Sequence, residues 1–567
     1  MPSVEIMPLI ESLIWLLAGV GVFIVGMNFM SAALEKSAGN GMKSLLGKIG
    51  NNRLTGVGIG AGVTAIIQSS SATSVMVIGL VNAGVMTLIQ ATPILLGAKI
   101  GTTITGLLVS LKNDYFNMAM YVFAFAGIMM GFAKKEKIKL LGSLISGLGL
   151  IFVGLEIMGS EQAFRSKEVL TMFQQASAAV TAPGIRTIAP LLLVFIGVFF
   201  TALIQSSSAA TGIIITMVGA GAITLDLAIF LVIGANVGTC VTALLAGIGG
   251  RTDARRVALI HFTFNAVGAI LFTAAMWVFK DNMVMLLTKM FPNDNDVMSL
   301  QMRVSLFHVI FNTTNALIML PFVKQLVGFS KLMIKDKKEE PDALALKYVD
   351  ERLLSTPPIA LMQVKKEMNY MIGLVEENIN LSLRALETRS SEDGEAIRKN
   401  EEIIDFTNQT LTEYLISLSL HIESKDDEEL IGAYFHVLND LERIGDHAEN
   451  FYEIGIEMYE KDLAFSETAR EELRGMCNDI LSMFQIAKDA FENLSRNGLP
   501  QLAELEEIVD EKKKSLTASH FSRLAEGACK VELSPYYSST VAGLERVADH
   551  LVNVGYSIVN PTGSWPE

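Results

Sequence analysis

Cysteine is nearly missing from this chain. Three residues, Cys240, Cys477 and Cys529, occur among 567, and their spacing suits neither a disulfide framework nor a thiolate metal centre. A cross-linked secreted scaffold is therefore excluded. No P-loop is present, which argues against ATP-driven pumping. No G-x-S-x-G frames the serine runs described below, and no His or Asp partner stands near them, so a serine hydrolase is disfavoured and the chain reads as a non-enzyme. The N-terminus, MPSVEIMPLIESLIWLL, has no basic n-region and no small-residue cleavage site, and reads as a retained lead-in to a first membrane helix. No basic stripe suited to nucleic acid is found.

Charge is missing in a more informative way. None occurs from Leu54 to Ala98, nor from Thr187 to Leu225. The chain is 51% apolar with a mean hydropathy of +0.42, high for a soluble protein. Residues 1–340 carry 24 Lys+Arg against 16 Asp+Glu, and the remainder 21 against 43. An apolar, mildly basic half thus precedes an acidic one. Apolar runs at 13–30, 75–90, 91–111, 118–132, 140–158, 188–203, 212–222, 225–247, 257–279 and 304–323 are expected helices, each of crossing or half-crossing length. Basic clusters at 133–139, 250–256 and 330–338 place those loops, and the acidic half, on the cytoplasmic side of a cell membrane.

What fills the uncharged intervals is polar. TAIIQSSSATSVMVIGLVNAG begins at Thr64, and TALIQSSSAATGIIITMVGAG at Thr201. As one straight helix, the second interval would extend about 60 Å, against a hydrocarbon core of about 30 Å. Each interval must break, and broken backbone survives in a bilayer only in protein or along a cavity. The blocks align at a constant offset: Thr64 with Thr201, Gln68 with Gln205, Gly84 with Gly221, and GAKIGTTITGL from Gly97 with GANVGTCVTAL from Gly234. Upstream, GVFIVGMNFM from Gly21 resembles GLIFVGLEIM from Gly149. The membrane half is a duplicated unit, with its site expected where the repeats meet.

Paired Gln-Ser-Ser-Ser loops offer hydroxyls that donate to an oxyanion or ligate a hard cation such as sodium. Half-helix N-termini add backbone donors suited to phosphate. Thr102, Thr103, Thr105, Asn236, Thr239 and Thr242 supply further oxygens. Co-bound cations lower the cost of burying a dianion, so cation-coupled anion transport is the chemistry these loops suggest. His261 with Asn265, and His308 with Asn312, stand one helical turn apart and are expected to make interhelical hydrogen bonds, with proton coupling as the alternative role. Asn28 and Glu156 occupy matching places, either at a cavity or at the interface.

QSSSATSVMVIGLVNAG, GAKIGTT, QSSSAATGI and GANVGTC resemble the duplicated signature of the type II sodium/phosphate cotransporter family, over residues 10–325. YVDERLLSTPP and the helical region after it look like bacterial members with a PhoU-like C-terminal domain. The resemblance implies an all-α protein: a polytopic membrane domain (1–330) of two inverted repeats (13–111 and 140–248) with broken or re-entrant helices, further helices at 254–279 and 303–324, a linker at 331–358, and a soluble PhoU-like bundle at 359–560. It implies sodium-driven movement of inorganic phosphate, with Gln68, Ser69, Ser70, Ser71, Gln205, Ser206, Ser207 and Ser208 at the centre, and Thr64, Thr201, Lys99, Asn236, Thr102, Thr103 and Thr239 contributing. One departure stands out: the family's usual asparagine in the first downstream block is Lys99. Its ammonium could replace a bound cation, pair with phosphate, or contact a helix C-terminus, and fewer coupled sodium ions are expected. Cys240 also replaces a threonine and weakens oxygen coordination there.

The acidic half carries four Glu-x-x-x-Asp pairs, Glu401/Asp405, Glu442/Asp446, Glu506/Asp510 and Glu545/Asp549, each on one helix face. LERIGDHAEN from Leu441 is echoed by LERVADHLVN from Leu544, so two three-helix units fit. Facing carboxylates repel and favour a cation between them, a divalent or iron-type metal. A phosphate-binding membrane regulator and a phosphate exporter using the same site remain as alternatives. A homodimer in the lipid bilayer is one assembly this arrangement allows.

Overall fold

The uncharged interval after Arg53 contains not one helix but a chain of short ones. In the computed structural model, which describes residues 6–557 except 48–51, 112–113, 184, 186, 249, 336–343, 355 and 423, the first repeat runs α1 (Ile6–Gly47), α2 (Arg53–Ile67), α3 (Ser70–Asn82), α4 (Leu88–Gly101) and α5 (Thr103–Val109), and α6 (Asp114–Met130) follows it. The second runs α7 (Glu136–Met158), α8 (Lys167–Thr181), α9 (Ala189–Ile204), α10 (Ser207–Gly219), α11 (Leu225–Gly238) and α12 (Cys240–Gly247), followed by α13 (Thr252–Met290), α14 (Val297–Met319) and α15 (Val323–Met333). Among the described residues there is no strand. Among the described residues, six helices are long and apolar enough to cross a membrane, counting α4 with α5, α11 with α12 and α14 with α15 as single spans.

Local chemistry explains where the short helices begin and end. The helices expected at 75–90 and 212–222 start earlier, at the serines, because Ser69 and Ser206 are N-caps whose side chains accept from Ala72 N and Ala209 N. They also end earlier, at turns where Gly84 (φ 66°) and Gly221 (φ 75°) take the left-handed conformation open to glycine. Thr87 then opens α4 with a capping box closed by Gln90.

Packing repeats as faithfully as capping. A Cβ on Gly97 would lie 2.0 Å from the Val57 carbonyl oxygen, and one on Gly234 would lie 2.1 Å from that of Val194. These four residues are two pairs at the same repeat offset, so α2 closes on α4 as α9 closes on α11, backbone to backbone. Such contact is the usual basis of helix association in lipid, where apolar side chains gain little from meeting each other. Contacts also cross between repeats reciprocally: α3 packs on α12, and α10 on α5. The two serine loops are thereby held close to one another.

The chain divides into two compact units, Met1–Lys338 and Glu339–Glu567. The second contains α16 (Pro357–Thr388), α17 (Gly394–Ser419), α18 (Lys425–Glu460), α19 (Glu467–Asn493), α20 (Leu499–Ala525) and α21 (Ser534–Ser557). The echoed segments lie on α18 and α21, which pack together with Phe451 against Gly543 and Asp440 bonded to His550 and Asn553. Pro357 and Pro358, read as linker, instead form the first turn of α16, where proline's missing N–H costs nothing. Residues 336–343 of the expected linker, the first five residues of the lead-in, and 558–560 lie outside the described residues.

Candidate functional site

Both serine loops break their helices in the same way. Gln68 and Gln205 each adopt φ 59°, a left-handed conformation uncommon for a residue with a side chain. Each closes its helix by donating its backbone N–H to the carbonyl four residues back, Thr64 or Thr201. The next residue is extended (Ser69 at φ −137°, Ser206 at φ −133°) and caps the following helix. Held strain repeated at two equivalent positions is a mark of functional backbone.

The two loops line one cavity of about 520 Å³. Its walls include Gln68 to Ala72, Gln205 to Ala209, and Asn28 and Ser31 of α1. The first turns of α3 and α10 therefore both open onto it, bringing two positive dipole ends to the same space.

The six serines divide by role. Ser69 and Ser206 spend their oxygens on capping. The Ser71 hydroxyl donates across the repeats to the Gln205 carbonyl at 3.4 Å. Ser70, Ser207 and Ser208 line the cavity with hydroxyls that have no partner among the described residues. These three are free to serve a ligand.

The glutamines differ despite identical backbones. Gln68 is buried; its Oε1 accepts from the Thr105 hydroxyl at 2.7 Å and its amide donates to the Ala65 carbonyl. Gln205 is exposed to the cavity, and Thr242, the counterpart of Thr105, has a buried hydroxyl with no partner. Only one repeat makes the latch.

Several expected contributors stand behind the cavity wall. Thr64 and Thr201 are fully buried against Gly101 and Gly238. The Thr64 hydroxyl donates to Thr73, while Thr201 has no partner, the counterpart of Thr73 being Ala210. Thr102 and Thr103 bond back to the Ala98 and Ile100 carbonyls of their own turn. Lys99 and Asn236 are buried between the repeats: Lys99 Nζ donates to the Asn236 carbonyl (3.1 Å) and to Thr239 Oγ1 (2.8 Å). Of the contacts open to Lys99, the one made is with a helix C-terminus. Asn265 and Asn312 donate to the His261 and His308 carbonyls within their own helices, and between helices the Cys240 thiol of α12 meets the His261 carbonyl and the Asn265 side chain of α13. Asn28 reaches the cavity, whereas Glu156 accepts from Asn117 Nδ2 at 3.3 Å.

Comparison with known proteins fits this geometry. The profile of the Na+/Pi-cotransporter family matches residues 22–160 and 169–291, and that of the PhoU domain matches residues 368–455 and 473–558. The membrane unit belongs to the Na+/Pi-cotransporter family. The Escherichia coli (strain K12) protein YjbB, whose name provisionally assigns it inorganic phosphate export, is 25% identical over 554 residues, 97% of each chain. The sodium-dependent phosphate transport protein 2C of Rattus norvegicus is 44% identical over 84 residues, 14% of each chain. A Thermotoga maritima PhoU homolog of the phosphate-specific transport system is 27% identical over 201 residues, 35% of this chain and 85% of its own. No solved structure matches.

In the PhoU unit of this Na+/Pi-cotransporter relative, the Glu-x-x-x-Asp pairs form two seams. Glu401 and Asp405 of α17 interact with Asp446 of α18, near Glu442. Glu506 and Asp510 of α20 interact with Glu545 and Asp549 of α21. Among the described residues, no three His, Cys, Asp or Glu side chains are grouped so that they could hold a metal ion. Some charge is met by Arg443, near Glu442 and Asp446, and by Lys513, 2.6 Å from Glu545.

Among the described residues, Glu401 is the carboxylate with a buried oxygen left without a partner. It is 6% exposed; Oε2 accepts from Asn378 at 3.3 Å, and Oε1 has no partner. Gly445 leaves room for it, since a Cβ there would lie 3.0 Å from both oxygens. Burial, then the charges of Asp405, Glu449 and Asp446, push Glu401 from its ordinary 4.5 to about 8. A carboxyl raised in the fold stabilises it fully below the ordinary value and loses that contribution as pH climbs toward 8. In metal-free buffer, Glu401→Gln is therefore expected to raise the unfolding temperature by several degrees at pH 9, with little change at pH 4.5. An equal shift at both pH values in thermal denaturation would refute this.

Proposed function

We propose that this protein is a sodium-coupled secondary transporter of inorganic phosphate in the cell membrane. Phosphate and sodium are held between the Gln-Ser-Ser-Ser loops, and the acidic PhoU unit lies in the cytoplasm. The observation that carries this reading is the shared cavity, where two helix N-termini and three unbonded serine hydroxyls converge. N–H groups and hydroxyls donate to phosphate oxygens, while hydroxyl lone pairs and loop carbonyls ligate the alkali cation. The reciprocal α3–α12 and α10–α5 packing supports an inverted arrangement, in which one repeat rocks against the other around a fixed site.

The acidic seams are the proposal's second element. Oxygen-only donors suit a hard divalent or ferric ion; the orphaned Glu401 Oε1 is the donor open to one, and sharing it among Glu401, Asp405, Glu442 and Asp446 requires those side chains to draw together. Glu506, Asp510, Glu545 and Asp549 offer the same donor chemistry in the second seam.

Proteoliposomes containing the full chain are expected to move labelled phosphate when a sodium gradient is imposed, and not under an equal potassium gradient. Arsenate should compete and nitrate should not. Saturable phosphate binding without flux in either direction would replace the transporter with the membrane-regulator reading.

A further inference from the structure

Lys99 stands at a place the transport reading leaves unused. Its ammonium is 3% exposed and lies on the break between α11 and α12, in the other repeat. Both of its partners are oxygens acting as acceptors. The Asn236 carbonyl can only accept, and the Thr239 hydroxyl gives its own hydrogen to that carbonyl at 2.8 Å, so its lone pairs face Nζ. A carbonyl and a hydroxyl turned this way are also ligands for an alkali cation. Among the described residues, no carboxylate lies within ion-pair distance of Lys99, and its other titratable neighbours are His261, His308 and Cys240. The equivalent position in the second repeat is neutral Asn236, whose amide bonds the Val232 carbonyl of its own helix. One of two equivalent breaks is filled by a lysine side chain.

We propose that Lys99 is a resident cation, bonded to the oxygens at the α11–α12 break in place of a coupling sodium ion, so that the protein moves phosphate with one sodium ion fewer and is biased toward export. The inference rests on the sodium-coupled reading above. A tethered charge does not travel. Each sodium ion it replaces removes one positive charge from the transported complex and one step of sodium coupling. With the cell interior negative and low in sodium, both changes move the balance point from uptake toward efflux.

The test compares wild type with Lys99→Asn, which installs the second repeat's own residue, and with Lys99→Arg, which keeps the charge. Labelled sodium and phosphate fluxes are measured in proteoliposomes. Lys99→Asn is expected to raise the sodium-to-phosphate ratio by one and to steepen the sodium dependence, while Lys99→Arg keeps the wild-type ratio. An unchanged ratio in Lys99→Asn overturns the proposal. Should Lys99→Asn lose flux, thermal unfolding of the purified full chain in sodium chloride against choline chloride decides. Sodium must stabilise Lys99→Asn more than wild type, and an equal or smaller shift overturns the proposal. Failure of the transport reading itself shows separately, as wild-type protein without sodium-dependent flux.

Discussion

Alanine at both Ser70 and Ser207 is expected to lower sodium-dependent phosphate flux by about 10²- to 10⁴-fold with the fold intact. A hydrogen bond to a charged group contributes about 1.5–3 kcal/mol, and each 1.4 kcal/mol is about tenfold in affinity, so each serine accounts for roughly 10- to 100-fold. The two effects multiply only as far as the hydroxyls act independently on one bound ion. The fold should not notice, because neither hydroxyl bonds the protein among the described residues. Ser69→Ala and Ser206→Ala form the contrast. Each removes an N-cap, at about 1 kcal/mol of stability, so any loss of flux should track a loss of thermal stability. Flux and unfolding temperature measured on all three variants separate the roles. A double variant that still transports at the wild-type rate would remove these hydroxyls from the site.

That division of labour among six serines was not legible in the sequence, although the breaks were. The absence of charge over an interval too long for one helix required a discontinuity near Gln68 and Gln205. The constant offset between the blocks implied that both discontinuities are of one kind. Side-chain direction was a different matter. Once Gln68 takes a left-handed φ, the next serine is turned back as a cap and the one after faces the cavity, which follows from dihedral angles and not from residue type. Asn28 and Ser31 were similarly hard to place. They stand on α1, far from the serine loops in the chain, and reach the cavity only through tertiary packing. In the PhoU unit the i,i+4 spacing correctly put both carboxylates of each pair on one face, and the echo of α18 in α21 marked the duplication. That spacing could not show that Arg443 and Lys513 would neutralise part of each seam, because those contacts depend on rotamers and on a neighbouring helix.

The repeats are equal in backbone and unequal in side-chain bonding, which bears on how an alternating carrier works. Gln68 is latched to Thr105, but Gln205 faces the cavity while Thr242 is left without a partner. Thr64 has Thr73, but Thr73's counterpart is Ala210 and Thr201 has no partner. Buried hydroxyls without partners are costly, so the second repeat has more to gain from rearranging than the first. An element with two arrangements of similar energy is what rocking one repeat against the other requires.

Whatever moves, the α2–α4 and α9–α11 pairs must move as rigid bodies, and this leads to the second large effect. Gly97→Ala would place a methyl group 2.0 Å from the Val57 carbonyl oxygen, and Gly234→Ala one 2.1 Å from that of Val194. No rotamer relieves a Cβ, and the opposing atom is backbone, so the helices must separate. Overpacking of this kind costs about 1–3 kcal/mol where side chains can yield, and more is expected where only backbone can. Separation would also drag the Gln68 or Gln205 carbonyl away from its loop geometry, because Thr64 and Thr201 rest on Gly101 and Gly238 of the same helices. Each variant is expected to lower the unfolding temperature in detergent by about 5 °C or more and to abolish flux. Gly58→Ala serves as the control, since nothing lies within 4 Å of its Cβ position; it should leave both unchanged. Equal losses at Gly97 and Gly234 with none at Gly58 would show that the repeat symmetry is energetic as well as geometric. Tolerance of alanine at either glycine would mean that the helix pair is looser than its backbone contact implies.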